Sequence, residues 1–213
     1  NVIKAEYMAM CLAGLCGLNV ARVKLEEVSG KDVLLIERFD RVRQNNEWAR
    51  KLMLSALTLL ELDEMTPHYA SYEDLAELIR YRFTAPKKTL KELFGRLVFN
   101  ILCGNTDDHA RNHAAFWDGH SLALTPAYDI CPQMRHGGEA SQAMRIVDQD
   151  NSSRLITCLA AAKSFMLDEA EARKIIDHLV AGIKQNWDAV CREADLSPVD
   201  QALFEERLFF NPY

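Results

Sequence analysis

Apolar residues recur at helical spacing along most of this chain, and short paired apolar runs interrupt that pattern in two places. Ile3, Tyr7, Met10, Cys11 and Leu15 line one face of a predicted helix over residues 1–15, with Asn1 as its cap and Gly17 as its stop. Two strand-like runs follow, 22–28 and 33–39, joined by the turn Ser29-Gly30-Lys31-Asp32. Val33-Leu34-Leu35-Ile36 is continuously apolar, which predicts a strand buried on both faces. The polar segment from Asp40 to Asn46 then reads as a connector, and a stripe of Leu52, Ala56 and Leu59 predicts a helix over 47–62.

The rest reads as mainly helical. Ser71 caps a helix that turns Leu75, Leu78 and Ile79 inward. Thr89-Leu90-Lys91-Glu92 has the form of a capping box, opening a helix whose Leu93, Phe94, Leu97, Val98, Ile101 and Leu102 make a wide apolar face ending at Gly104. Strands over 114–117 and 121–125 flank the turn Asp118-Gly119. His136-Gly137-Gly138 marks a less ordered stretch. Asp168 and Glu171 open a long helix to about residue 194, with Ile175, Ile176, Leu179, Ile183 and Trp187 on its core side. Ser197-Pro198 opens a last helix to about 209, and Trp48, Trp117 and Trp187 read as packing residues.

Bulk properties narrow the class. The 213 residues, 49% hydrophobic and 26% charged, suit a soluble globular protein with a sizeable core. A net charge of −6 argues against strong direct nucleic-acid binding. The uncharged stretch from Tyr7 to Leu18 is too short to span a bilayer and lacks a secretory signal's basic flank. Six cysteines without a CxxC pair predict reduced, buried thiols. Asn1 reads as a helix cap rather than a natural start, so a fragment with a missing upstream part is expected.

The candidate chemistry lies in Asn105-Thr106-Asp107-Asp108-His109-Ala110-Arg111-Asn112. A carboxylate precedes an amide by four intervening residues, directly after a buried helix, and Asp129 follows a hairpin. A protein-kinase centre has this order of parts: an Asp that receives the substrate hydroxyl's proton, an Asn on Mg²⁺, and a second Asp on the metal. On this reading Asp107 is catalytic and Asn112 and Asp129 are metal ligands. Asp108 is an alternative base, although only Asp107 has the kinase spacing to Asn112. The bland alternative is a polar loop capped by its own side chains. A second rival is a zinc hydrolase built on His109 and His113, which would need a helix to bring both to one face. Glu37-Arg38-Phe39-Asp40 ends a strand where such a fold binds adenine, or is simply a charged strand exit with Phe39 in the core. Glu6, in mid-helix, is either a solvated residue or the partner of a phosphate-binding lysine.

Several of these segments together resemble the HipA-type toxin kinases. The resemblance is carried by Lys4-Ala5-Glu6-Tyr7, by Leu35-Ile36-Glu37-Arg38-Phe39-Asp40-Arg41, by Gly104-Asn105-Thr106-Asp107-Asp108-His109 with Arg111-Asn112-His113, and by Thr125-Pro126-Ala127-Tyr128-Asp129. It implies an α+β, mainly α, protein-kinase-like fold: residues 1–40 as the remnant of a small lobe ending in the hinge, and 41–213 as a helical C-terminal lobe. It implies ATP and Mg²⁺ as ligands and a protein serine or threonine as acceptor. Glu37 and Phe39 would contact adenine, His109 and Tyr128 would line the nucleotide, and Asp40 would lie close to it. A HipB-like DNA-binding antitoxin as partner and a cytoplasmic location follow from the same likeness. Such kinases carry a phosphate-covering loop and a strand lysine upstream of the Glu6 helix. Neither is found in these residues, with Lys4 and Lys24 the nearest candidates. A non-catalytic nucleotide-binding or interaction subunit is therefore the alternative.

Overall fold

A computed structural model of the chain describes residues 1–65, 69–134, 137 and 139–209. Of the stretch His136-Gly137-Gly138, all but Gly137 lies outside the described residues. Helix α1 spans Val2–Leu15, and the Asn1 side chain accepts the Lys4 N–H as its cap. Its buried residues are Ala5, Tyr7, Met8, Ala9, Met10, Leu12 and Ala13, whereas Leu15 is 56% exposed. The expected single stripe is thus wrong. Alanines between long methionines let the helix sink until most of its circumference is covered, as an apolar helix does inside a core.

Strands β1 (Val23–Val28) and β2 (Lys31–Ile36) form an antiparallel hairpin through a Ser29-Gly30 turn with φ of 53° and 74°. Positive φ at both positions is the turn type whose twist matches the strands. The expectation that β2 is buried on both faces fails: Leu35 and Ile36 are 51% and 42% exposed. The sheet has two strands only, so a single face can rest on the core. Nor is 40–62 a connector followed by a helix. Strands β3 (Arg41–Gln44) and β4 (Glu47–Arg50) make a second hairpin around Asn45 and Asn46, both at positive φ. Strand β5 (Leu52–Ser55) precedes a one-turn helix α2 (Ala56–Leu59) capped by Ser55. Trp48, in β4, is 69% exposed rather than packed.

Helix α3 (Tyr72–Arg82) starts at its predicted cap, Ser71. Helix α4 (Pro86–Leu102) starts a turn earlier than expected, with Pro86 in its first turn. The capping box at Thr89 does not form, because Thr89 Oγ1 donates back to Ala85 O and Glu92 accepts from Arg96. Leu93, Phe94, Leu97, Val98, Ile101 and Leu102 are all fully buried, so α4 is the central rod of the core. Strands β6 (Ala114–Trp117) and β7 (Leu122–Leu124) form the predicted hairpin, and β5 completes a three-stranded sheet in the order β5-β6-β7. Helix α5 (Leu155–Ala161) had no legible signal. Helix α6 (Glu169–Glu193) opens with the Asp168–Glu171 capping box. Helix α7 (Pro198–Phe204) runs into a π-helical turn whose Phe209 ring packs 4.9 Å from Trp187. The six cysteines are all free thiols. Among the described residues no helix is long and apolar enough to cross a membrane.

Helix α1 lies along α6, and a Cβ on Gly182 would come within 2.7 Å of Cys16 Sγ. Gly182→Val is expected to lower stability by about 1–3 kcal/mol through overpacking. Gly182→Ala should be near neutral, since a helix-propensity gain of about 1 kcal/mol offsets a contact that rotation of Cys16 relieves. Urea unfolding of both variants measures the difference.

Candidate active site

The loop after α4 is held from both sides. Buried Asn105 donates its backbone N–H to Asn100 O (2.8 Å) and its side-chain amide to Asn100 Oδ1 (3.1 Å). Gln142 Nε2 donates to Asn105 O and the Ala143 N–H to Thr106 O, both at 3.0 Å. On this frame two adjacent carboxylates face opposite ways. Asp107 is exposed and makes no hydrogen bond or ion pair among the described residues. Asp108 is 2% exposed and accepts from the Tyr72 hydroxyl and from His113 Nε2 at 3.0 Å. Burial alone would raise the Asp108 pKa. The charge and hydrogen bond of His113, with bonds from Tyr72 and Asn100, outweigh burial and hold it below the ordinary carboxylate range.

Asn112 closes the loop, its N–H donating to His109 O at 2.8 Å, and its side chain is buried. His109 is half-buried, and its Nδ1 has no partner among the described residues. His113 begins the approach to β6 and is tied inward by Asp108 and Tyr72. The two histidines therefore share no helix face, which removes the premise of the zinc reading.

The hairpin β6–β7 brings the chain back to Asp129. Arg96, 3% exposed on α4, fixes this return. It donates to Thr125 O (2.9 Å), Asn19 O (3.0 Å) and Glu92 Oε1 (2.9 Å). The Ala127 N–H donates to Asn19 O and the Ala21 N–H to Ala127 O, both at 2.8 Å, so residues 19–21 run beside the segment leading to Asp129. Gln133 N–H reaches Gly104 O at 3.0 Å, which sets the stretch after Asp129 against the end of α4. Removing the Arg96 fork in Arg96→Met leaves the buried Thr125 carbonyl without this donor and Glu92 without its cation, while Asn19 O keeps the Ala127 N–H. That variant should be less stable by about 1–3 kcal/mol in thermal or urea unfolding.

Asp129 is exposed and sits at φ +59°, a conformation that Asp and Asn tolerate better than other side chains. Its charge is felt around it. Burial first, then the Asp129 charge, raises the pKa of Glu6, and the same causes in the same order push Tyr128 up to about 12. Cys131 is pushed up to about 11 by burial and by the charges of Glu6, Asp129 and Asp107. These three carboxylates thus share one neighbourhood, and Glu6 makes no ion pair there among the described residues. Lys4 and Lys24 are engaged elsewhere, with Asp195 O and Glu26. Among the described residues no three His, Cys, Asp or Glu side chains converge tightly enough to hold an ion unaided.

Phe39 and Tyr128 come together, with ring centroids 5.6 Å apart, and Phe116 lies 6.1 Å from Phe39. The Tyr128 hydroxyl donates to Arg111 O at 2.7 Å, joining this aromatic cluster to the loop of residues 105–112. Glu37 is exposed, its N–H on Arg22 O. Asp40 accepts two bonds from Arg38 at 2.7 and 2.8 Å and lies 3.5 Å from Arg41. The Arg38 hydrogen bonds hold its carboxyl at about 2, against the smaller upward effect of burial. Its carboxylate is thus committed to the chain's own arginines. Arg96, Tyr72 and Gln142 went unnoticed in the sequence, because each is placed by partners far along the chain. A cavity of about 910 Å³ opens between the α1 exit, α4 and α6, but Asp107, Asn112 and Asp129 do not line it.

The family model described as HipA-like C-terminal domain matches residues 1–187. The serine/threonine-protein kinase toxin HipA of Shewanella oneidensis is 24% identical over 179 residues, covering 76% of this chain and 41% of that protein. The Shewanella oneidensis HipA structure, solved in complex with HipB and operator DNA, superposes with a TM-score of 0.80 at 22% identity. It covers 96% of this chain and 52% of that one. The Helicobacter pylori proinflammatory kinase CtkA gives a TM-score of 0.55 at 15% identity, over 90% of this chain and 86% of that one. The chain spans between 35% and 41% of the length of the curated relatives it matches. These likenesses show a mainly α, α+β fold of the kinase-like HipA type.

Proposed function

This chain belongs to the HipA-like C-terminal domain family, and from that premise we propose that it is the catalytic-loop-bearing part of an ATP- and Mg²⁺-dependent serine/threonine protein kinase. The observation that carries the proposal is the opposed pair of carboxylates. Asp108 is consumed inside the fold, while Asp107, on the same pinned loop, keeps a free carboxylate near Asp129 and Glu6.

The chemistry follows from these placements. The acceptor hydroxyl oxygen bonds to the γ-phosphorus as the bond to the β,γ-bridging oxygen breaks, and ADP leaves. Asp107 orients that hydroxyl and takes its proton. The Asn112 amide oxygen and the Asp129 carboxylate would hold Mg²⁺, and an all-oxygen donor pair with uncompensated negative charge suits that ion. When bound, Mg²⁺ supplies neutralisation of the phosphate charge. Glu37 and Phe39 would meet adenine, Tyr128 and His109 would line the nucleotide, and Asp40 would stiffen the hinge through Arg38 and Arg41. Residues 1–40 would then be the small-lobe part and 41–213 the helical lobe. A HipB-like antitoxin would be the partner, and the cytoplasm the setting.

Phosphate transfer from labelled ATP by the full natural chain tests this reading, with Mg²⁺-dependent label on a protein hydroxyl expected. Absence of both transfer and Mg-ATP binding would overturn it. The same assay separates this reading from a second one, a non-catalytic nucleotide-binding or interaction subunit. Binding without transfer to any acceptor is its expected signature.

A further inference from the structure

Tyr72, Asp108 and His113 form a buried polar cluster joining three parts of the fold. Tyr72 is the first residue of α3 and is 0% exposed, Asp108 lies in the loop after α4, and His113 precedes β6 and is 3% exposed. Asp108 accepts from the Tyr72 hydroxyl and from His113 Nε2, and Asn100 of α4 hydrogen-bonds both Tyr72 and Asp108. Each member is itself anchored. The Tyr72 N–H donates to Arg145 O at 2.8 Å, His113 O accepts the Ala56 N–H at 2.7 Å, and Asn100 also holds Asn105.

A fully buried carboxylate is a poor way to gain stability, since apolar residues of the same volume serve as well or better. What such a cluster does supply is a single conformation. This loop carries two consecutive aspartates, and an inward pocket that accepts one turns the other toward solvent. We propose that Tyr72, Asp108 and His113 are positioning residues for the transfer step. By fixing Asp108 inward they present Asp107 outward to the reacting groups and hold in place the loop that carries the buried Asn112. The inference rests on the phosphoryl-transfer reading. It adds to it a cluster that touches neither nucleotide nor acceptor.

Steady-state kinetics of the full natural chain test it, with Asp108→Asn, Tyr72→Phe and the double variant beside the parent, well below their unfolding temperatures. Loosening the loop by a fraction of an ångström to an ångström is expected to lower kcat by about 10- to 100-fold in Asp108→Asn. KM for ATP should be little changed. Tyr72→Phe should have a smaller effect of the same kind, and the double variant should be no slower than Asp108→Asn alone, because one unit has already been broken. Unchanged kcat in the folded variants, or additive losses, would overturn the proposal by reducing the cluster to a structural role. Should the parent transfer no phosphate, the kinase reading fails on its own. Hydrogen exchange at residues 105–113 then decides: faster exchange in Asp108→Asn keeps the anchoring role, and unchanged exchange removes it. Tyr72→Phe keeps its ring packing, so it serves both measurements even where Asp108→Asn does not fold.

Discussion

Replacing Asp107 with asparagine is expected to reduce phosphate transfer by about 10²- to 10⁴-fold, the usual worth of a positioned general base. Binding of Mg-ATP should be nearly unaffected. The side chain is exposed and makes no bond to the protein among the described residues, so the substitution disturbs neither packing nor loop conformation. It removes only the site that receives the acceptor's proton. The asparagine also relieves one of the three negative charges that act on Cys131, which if anything eases the apo fold. Stability and nucleotide affinity measured beside transfer separate these effects. Transfer by Asp107→Asn at the parent's rate would falsify the base assignment, and with it the choice of Asp107 over Asp108.

That choice shows where the sequence ends as a guide. The spacing of Asp107, Asn112 and Asp129 and the hairpin between them are local, and local patterns were legible: β6, β7 and α6 form where periodicity and turn residues put them, and α4 differs only in starting a turn earlier. Which of two adjacent aspartates turns inward is not local. Tyr72 decides it from another helix and His113 from the approach to β6. The misread stretch 40–62 has the same cause. β5 is a strand because β6 pairs with it, residue Ser55 against Ala114, and a stripe of leucines over 52–59 cannot reveal that partner. The Asn45-Asn46 turn, by contrast, is a local signal, since asparagine tolerates positive φ. Arg96 could not be anticipated either. A charged residue on the apolar face of α4 makes sense only once the carbonyls of Asn19 and Thr125 are seen to converge on it.

Asp129→Asn is expected to remove the Mg²⁺-dependent part of nucleotide binding, weakening Mg-ATP affinity by at least about 100-fold, since loss of a metal's supporting groups alone reaches that size. The weak affinity left in the presence of a chelator should match the parent's. The fold should survive, because asparagine accepts the positive φ of this position as readily as aspartate does. The apo protein should be as stable as the parent or slightly more so. In the parent, Asp129 and half-buried Glu6 repel each other, which is one reason the Glu6 pKa is raised, and the amide ends that repulsion. Two like charges brought together without a cation lower stability, and a site for a divalent ion is where a protein retains such an arrangement. Calorimetric titration with ATP, with and without Mg²⁺, read beside a thermal melt, tests both halves at once. Full Mg²⁺-dependent tightening in the variant would show that Asp129 holds no metal.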